Sequence, residues 1–351
     1  MVMPQLPREV VRRCLEFGYP DRIPRDLWKL PWALNRYQNV MQELQLRFPV
    51  DFTHAPNVYH PSTRVVGDRH KVGTYHDEWG CVFSNIQEGV IGEVNQPLIQ
   101  EISDWRKVKA PYEILPEDRD IARDKINQFC SNTDLFVLAS CCPRPWERYQ
   151  FLRGTENAMI DLLTPEDGPQ DLLRLIHEFY MEELEFWTST DVDAIMFMDD
   201  WGSQKSLLIS PVTWRKLFKP LYKDYCDRVH ARHKFIFMHS DGYIAPIIED
   251  IIEVGVDAIN SQLFCMDFRD LAKRAKGKIT FWGEIDRQHV LTSPDPQVGR
   301  AAVREVAKHL YDPAGGLIAQ FEFGAGTNPD TAIVIFDEWS KVGNTSEIVR
   351  L

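Results

Sequence analysis

The sequence predicts one α/β domain folded as a (β/α)8 TIM barrel, in which eight parallel strands form a closed cylinder surrounded by helices. Three observations lead to this prediction. About eight short apolar runs rich in β-forming residues occur along the chain. Segments of helical period separate most of these runs, an alternation typical of a parallel sheet. No Gly-x-Gly-x-x-Gly motif follows the first run, which argues against an open dinucleotide-binding sheet.

The first part of the chain supplies two predicted strands and one irregular region. A helix over 7–17 precedes the first strand, 23–28, and a helix over 31–46 leads to the second, 48–54. Residues 57–105 are rich in Gly and β-forming residues and lack a helical period. We interpret them as a β-hairpin excursion after the second strand, within a single domain of residues 1–351. Its polar and aromatic residues could cover a pocket or form an ordinary solvated hairpin: Tyr75, Asp77, Glu78 and Trp79.

From residue 116 the alternation becomes regular, and six further strands are predicted. These strands are 134–140, 194–199, 235–238, 257–262, 278–284 and 317–323. Helices are predicted over 116–129, 146–163, 168–188, 210–231, 244–254, 267–276 and 296–310, and after Pro329. Ser210 followed by Pro211 favours a helix start, because Ser caps free N–H groups and Pro fits the first turn.

The composition excludes several classes of function. A net charge of −12 disfavours nucleic acid and anionic membranes as partners. The seven cysteines include no Cys-x-x-Cys pair, which argues against a disulfide framework and a thiolate zinc site. The N-terminus lacks an apolar signal core, and no apolar run approaches membrane length. We therefore expect a cytoplasmic protein with a small-molecule substrate.

The clearest chemical signal lies at the end of the 235–238 run, which continues into His239, Ser240 and Asp241. Because side chains alternate along a strand, His239 and Asp241 should project to the same side. An imidazole beside a carboxylate can bind a metal ion or act as an acid–base pair. The structural alternative is that Asp241 caps the next helix and His239 bonds to a backbone carbonyl.

Other predicted strands also end in polar residues, and in a barrel all these ends meet at one mouth. The predicted acids of the mouth are Asp199, Asp241, Glu284 and Glu322, with Arg287 and Arg25 as candidate counter-charges. Alternation favours Asp199 as the inward-facing acid and Asp200 as a loop or capping residue. Trp201 and Trp282 would form apolar walls or simply pack. The candidate substrate-binding residues are Trp201, Asn260, Gln262, Trp282 and Arg287.

Four segments together resemble the uroporphyrinogen decarboxylase-like superfamily: 191–223, 235–244, 251–262 and 278–291. This superfamily includes uroporphyrinogen decarboxylases and cobalamin-dependent methyltransferases. The resemblance implies a (β/α)8 barrel. True decarboxylases carry an arginine-rich run near the N-terminus and a later Phe-Pro-Asp motif, and this chain has neither.

Zinc-bearing methyltransferases of this superfamily carry a His-x-Cys pair on one strand and a further Cys near the last strand. His239 matches the histidine, whereas Asp241 replaces the first cysteine and Glu322 is the donor nearest to the second. The resemblance therefore implies a site of His239, Asp241 and Glu322 for zinc or another divalent ion, or no metal at all.

Three hypotheses for function remain open. A methyltransferase would move a methyl group between a small methylated compound or tetrahydrofolate and a corrinoid protein. A cofactor-free decarboxylase would act on a porphyrinogen or another carboxylic acid, with Asp199 or Asp241 as the proton donor. A non-catalytic barrel would only bind a small molecule. The absent decarboxylase motifs favour the first hypothesis, for which the candidate catalytic residues are Asp199, His239, Asp241 and Glu284.

Overall fold

The computed structural model describes residues 3–163 and 167–343, and its centre is a barrel of eight parallel strands. The strands in chain order are β1 (Arg25–Lys29), β2 (Phe52–His54), β3 (Gly73–His76), β4 (Val82–Asn85), β5 (Glu93–Gln96), β6 (Phe136–Leu138), β7 (Ala194–Met198), β8 (Phe235–Ser240), β9 (Ala258–Ser261), β10 (Thr280–Trp282) and β11 (Leu317–Phe323). The barrel strands follow the order β1-β11-β10-β9-β8-β7-β6-β2. A hydrogen bond from Asp51 N to Arg25 O (2.8 Å) joins the two ends of this sheet. The predicted TIM barrel is confirmed.

Helices surround the barrel and alternate with its strands. They are α1 (Pro7–Leu15), α2 (Pro31–Arg36), α3 (Gln38–Arg47), α4 (Arg119–Ser131), α5 (Pro145–Arg153), α6 (Thr155–Asp161), α7 (Asp167–Thr188), α8 (Pro211–Leu217), α9 (Lys219–His230), α10 (Ile248–Val254), α11 (Phe268–Ala275), α12 (Pro296–Leu310) and α13 (Pro329–Trp339). The predicted helix over 146–163 is two helices, because Gly154 turns the chain at φ +78°. The one over 210–231 is also divided, with Pro220 in the first turn of α9.

Large aromatic rings fill the interior of the barrel. Phe52 packs edge-on against Phe136 (5.5 Å between ring centroids), and Phe237 packs edge-on against Trp282 (4.9 Å). These side chains come from β2, β6, β8 and β10, and the neighbouring strands β2 and β6 place Phe52 directly opposite Phe136. The interior below the mouth is therefore a packed core.

The insertion after β2 is a three-stranded antiparallel sheet, in the order β3-β4-β5. Its Asp77 forms a buried ion pair with Arg148 of α5, and Glu78 Oε1 lies 3.4 Å from the same guanidinium. Its other end contacts α2, where Trp32 N donates to Gly89 O (3.3 Å). The sheet lies within the predicted excursion of 57–105, whose outer bounds stay a prediction.

The opposite end of the barrel, where the strands begin, holds a cavity of about 300 Å³. Arg25 lines it beside Arg22, and Arg22 is paired with Asp51. Since Arg25 opens β1, its side chain lies at this end, and the expectation that it balances charge at the mouth is wrong. No helix of the described residues is long and apolar enough to cross a lipid bilayer.

Candidate active site at the mouth of the barrel

Three side chains converge where β7 and β8 end. His239 Nε2 lies 3.6 Å from Asp200 Oδ1 and 3.5 Å from Asp241 Oδ1. The three donor atoms all lie within 4.8 Å of one another, which makes them a candidate metal-binding group. His239 is buried, whereas the side chains of Asp200 and Asp241 are 38% and 29% exposed. The group, here called the His239 cluster, is therefore reachable from the mouth.

Two glycines bring the aspartates of the His239 cluster together. Gly242 has φ +77°, and a Cβ on either Gly202 or Gly242 would overlap the backbone of the other loop. The loops are also joined by hydrogen bonds from Gly202 N to Asp241 O (3.0 Å) and from Asp241 N to Asp200 Oδ1 (2.9 Å). Only residues without a side chain allow the backbones of the two loops to come this close. Gly202 and Gly242 therefore determine how near Asp200 and Asp241 lie to each other.

Asn260 orients the His239 ring. Its Nδ2 donates to Trp282 O (2.5 Å) and to Gln320 Oε1 (3.0 Å), so its Oδ1 faces His239 Nδ1 at 2.6 Å. A carbonyl oxygen can only accept, and Asn260 Oδ1 therefore accepts from His239 Nδ1–H. The Nε2 atom is consequently the one presented to Asp200 and Asp241. This is the arrangement by which proteins orient a histidine that binds a metal.

Arg287 gathers three acids on the opposite side of Asp241. Its Nη2 donates to both Asp241 oxygens (2.6 and 2.7 Å), its Nη1 lies 3.3 Å from Glu322 Oε1, and its Nε lies 2.6 Å from Glu284 Oε1. Glu284 is buried, and burial raises the pKa of its carboxyl well above the usual value, with Arg287 opposing the shift. Sequence reasoning placed Arg287 correctly among these acids. We call this group the Arg287 cluster.

Glu322 contacts Arg287 and is not a member of the metal-binding group found among the described residues. The third member of that group is Asp200, which sequence reasoning assigned to a loop or capping role. The predicted set of His239, Asp241 and Glu322 therefore differs from the observed cluster in one residue. The cause is the position of Arg287, which draws Glu322 towards Glu284 and Asp241.

Asp199 points away from the mouth, and the prediction that it faces inward is wrong. It is fully buried, and its carboxylate accepts from the backbone N–H groups of Trp146 (2.9 Å) and Glu147 (2.8 Å) and from the Tyr222 hydroxyl (2.6 Å). Burial raises the pKa of Asp199 well above its usual range. Asp199 thus binds the first turn of α5 to the barrel, a structural arrangement.

The two predicted tryptophan walls are both completely buried. Trp201 packs between helices and donates through Nε1 to Tyr222 (2.9 Å), while Trp282 lies inside the barrel and donates to Asp26 Oδ2 (3.0 Å). Neither offers surface to a ligand, because bulky neighbours enclose both rings. The ring beside the His239 cluster is instead Trp28, half-buried and 5.2 Å from the His239 ring.

Gln262 begins the turn after β9, and Cys265 Sγ lies 3.6 Å from its Oε1. Asn260 is fully buried beneath His239. Of the residues predicted to bind substrate, Gln262 and Arg287 keep partial exposure, and Asn260 acts on His239.

Glu147 and Arg144 are the residues that sequence reasoning missed. They lie at the start of α5, where Arg144 Nη1 is 3.6 Å from Glu147 Oε2. Burial raises the pKa of Glu147 to about 7, with Arg144 opposing the shift and Asp200 adding to it. Glu147 therefore faces the His239 cluster from the helix side. The only sequence signal was an Arg-Pro-Trp-Glu run, 144–147, in the segment that follows β6.

The comparisons with known proteins can now be set beside this geometry. A family model described as uroporphyrinogen decarboxylase (URO-D) matches residues 78–340, about three quarters of the chain. The chain belongs to the uroporphyrinogen decarboxylase family. The family match covers the His239 cluster, the Arg287 cluster and the start of α5. No match was found among curated protein sequences.

Among solved structures, one agrees over its full length with the fold of this uroporphyrinogen decarboxylase family member. A methyltransferase from Methanosarcina mazei is 12% identical, with a TM-score of 0.70 over 96% of this chain and 99% of that chain. A glycosylated endo-β-1,4-xylanase from Gloeophyllum trabeum is 10% identical, with a TM-score of 0.42 over 87% and 85%. At 12% identity the first of these supports the barrel fold and its full extent.

Proposed function

We propose that this barrel is a methyltransferase that moves a methyl group between a small methylated compound or tetrahydrofolate and a corrinoid protein. The observation that carries the proposal is the His239 cluster, an oriented imidazole between two partly exposed carboxylates. The structural likeness to a methyltransferase is consistent with it. In the part of the chain that the structure describes, Arg144 and Arg287 at the mouth each lie beside acids, whereas a substrate with eight carboxylates would need an excess of arginines.

Methyl transfer leaves the donor's heteroatom with an electron pair, so the site must supply a proton or a cation there. Glu147, whose pKa is about 7, holds a proton over part of the neutral range and faces Asp200 and His239. Asn260 fixes the His239 ring, and the Trp28 ring packs against it with 5.2 Å between the ring centroids. The chain's own residues thereby orient the donor and stabilise the leaving group.

A divalent ion fits the His239 cluster. Its donors are one imidazole nitrogen and two carboxylates, a set that suits zinc with oxygen ligands or a harder ion. The ligands would be His239, Asp200 and Asp241, and Arg287 would hold Asp241 from behind, as hydrogen-bonding partners of metal ligands do. When bound, the ion would act as a Lewis acid on the heteroatom of the methyl donor.

The reaction is tested by incubating the protein with methylcobalamin and tetrahydrofolate, and with reduced cobalamin and a panel of methoxy and methylamine donors. We expect the cobalamin spectrum to change in at least one direction, and the change to be lost in His239→Ala. No spectral change in either direction across the panel would contradict the proposal. Turnover of uroporphyrinogen to coproporphyrinogen would instead support the decarboxylase hypothesis.

The metal is tested by elemental analysis of protein purified without chelator. We expect stoichiometric metal in the wild type, and its loss in His239→Ala and Asp200→Asn. Glu322→Gln is the matched control and should keep the metal, because Glu322 contacts Arg287 and not the cluster. Metal that persists in His239→Ala, or is lost only in Glu322→Gln, would refute this ligand set.

A further inference from the structure

Two arginines one helical turn apart at the start of α5 have different surroundings. Arg148 is enclosed: it pairs with Asp77 and Glu78 of the insertion, and its side chain is only 8% exposed. Its guanidinium also lies over the Trp79 ring, 5.1 Å from the centroid. Arg148 therefore has its charge balanced by the fold and holds the insertion on the barrel.

Arg144 has no comparable partner among the described residues. Its Nε donates to Cys142 O at a long 3.4 Å, and its Nη1 lies 3.6 Å from Glu147 Oε2. Its side chain is 24% exposed. A guanidinium offers five N–H donors in a fixed fork, so most of the capacity of Arg144 is unused.

Glu147 compensates Arg144 incompletely. Its Oε2 is buried and has no hydrogen-bond partner in the described part of the chain. The 3.6 Å between Arg144 Nη1 and Glu147 Oε2 is longer than a hydrogen bond. Most of the N–H donors of Arg144 therefore remain available to a ligand.

The position of this pair ties it to the His239 cluster. Asp200 and His239 both act electrostatically on Glu147. Arg144 Nη1 lies 3.6 Å from Oε2 of the same Glu147, so Arg144 and the cluster act on one carboxyl group. An anionic group held by Arg144 would leave the rest of a small molecule beside His239.

We propose that Arg144 forms a subsite for one carboxylate of the substrate, so that the substrate class is small monocarboxylates. This assignment rests on the proposed function in one respect: that function requires the other end of the substrate to carry the methyl group. The Nη atoms of Arg144 bind the carboxylate oxygens. Arg148 and Arg287 are occupied by protein acids, so neither is free to hold a second carboxylate.

Direct binding by calorimetry at pH 6.5 tests the subsite, with two pairs of probes of nearly equal shape. The pairs are 4-methoxybenzoate against 4-methoxybenzamide, and methoxyacetate against methoxyacetamide. In at least one pair we expect the acid to bind roughly 10–100-fold more tightly than the amide, as for a charge-assisted hydrogen bond. If the wild type binds neither acid, or binds acid and amide equally, the subsite is refuted.

Arg144→Gln should remove the preference for the acid and leave the affinity for the amide within about twofold. Arg144→Lys should keep part of the preference, since the charge remains without the fork. Arg36→Gln is the matched control, because Arg36 stacks on Trp32 of α2 and should leave both affinities unchanged. A preference that survives in folded Arg144→Gln overturns the assignment. Since binding needs no turnover, absent methyl transfer with an intact acid preference would refute only the proposed function.

Discussion

The mouth of the barrel has two halves that use acids in different ways. On the side of β10 and β11, Arg287 contacts Asp241, Glu284 and Glu322, and the acids are held by protein contacts. On the side of β7 and β8, Asp200 and Glu147 act on His239, and no arginine of the described residues contacts these two acids as closely as Arg287 contacts its own. Asp241 belongs to both halves. The difference indicates that the Arg287 cluster is a support, whereas the His239 cluster has unused capacity to bind a ligand.

The largest expected effect on stability comes from removing Arg287 from the Arg287 cluster. Arg287→Met leaves three acids without their common cation, and Glu284 is buried among them. We expect a loss of about 3 kcal/mol in the free energy of unfolding at pH 7, because an uncompensated buried charge is costly. Urea unfolding measures it.

As a control, the stability loss of Arg287→Met is measured again at lower pH. At pH 5 the loss should shrink, because acidification protonates part of the three acids that Arg287 contacts, and burial favours the protonated form of Glu284. The double variant Arg287→Met with Glu284→Gln should recover part of the stability for the same reason. A loss below about 0.5 kcal/mol at pH 7 would show that the Arg287 cluster is not a support.

The second prediction separates two adjacent aspartates. In the wild type, both carboxylate oxygens of Asp199 accept hydrogen bonds from backbone N–H groups of α5. Asp199→Asn replaces one of these oxygens with an NH2 group, which cannot accept. We therefore expect a loss of about 2 kcal/mol in the free energy of unfolding. Asp200→Asn should change stability by less than about 0.5 kcal/mol, because Asp200 is partly exposed.

Metal binding and methyl transfer should be more sensitive to Asp200→Asn than to Asp199→Asn, the reverse of the order expected for stability. Asp200→Asn should abolish metal retention and methyl transfer, whereas folded Asp199→Asn should retain metal. Thermal melting together with elemental analysis checks both variants. The comparison between the halves would fail if Asp199→Asn lost metal while stably folded and Asp200→Asn kept it.

The third prediction concerns the charge of Glu147, on the side of the mouth that holds the His239 cluster. Glu147 titrates near pH 7 in the folded protein but near 4.5 when unperturbed. Between these values the folded state binds the proton and the unfolded state does not, so stability should fall as pH rises from about 4.5 to about 7. The contribution of Glu147 is on the order of 1–3 kcal/mol.

Glu147→Gln tests this slope, since a neutral amide cannot titrate. The variant should have a flatter stability profile over that pH range, measured by urea unfolding at several pH values. Burial also raises the pKa of Glu183 to about 7, so Glu183→Gln should flatten the remaining slope. An unchanged profile in Glu147→Gln would place its pKa outside this range.

Sequence reasoning found the barrel and the pairing of His239 with Asp241 because both depend on local pattern. Strand alternation is a local property, and the ends of parallel strands must meet. The prediction for Asp199 assigned the wrong side of the strand. In β7, Ala194 and Met196 face the barrel interior while Ile195 and Phe197 face the surrounding helices. By alternation Asp199 therefore lies on the outer side, against α5 and Tyr222.

Other parts of the site depend on contacts that no local pattern reveals. Glu147 lies on a helix, and only the packing of α5 against β7 brings it near His239. The candidate metal site contains Asp200 where Glu322 was predicted, because Glu322 pairs with the Arg287 side chain. The glycine pair was visible in the sequence, but its role required knowing that the two loops cross.

The closure of the barrel has a consequence for how the protein folds during synthesis. β1 pairs with β11, with Arg25 opposite Ala319, and Asp26 accepts from Trp282, which is 256 residues away. The first strand therefore leaves the ribosome long before its partner, and one of its edges stays unpaired meanwhile. Such long-range pairing slows folding and exposes strand edges to aggregation. We expect a chain stalled before residue 317 to depend on chaperones.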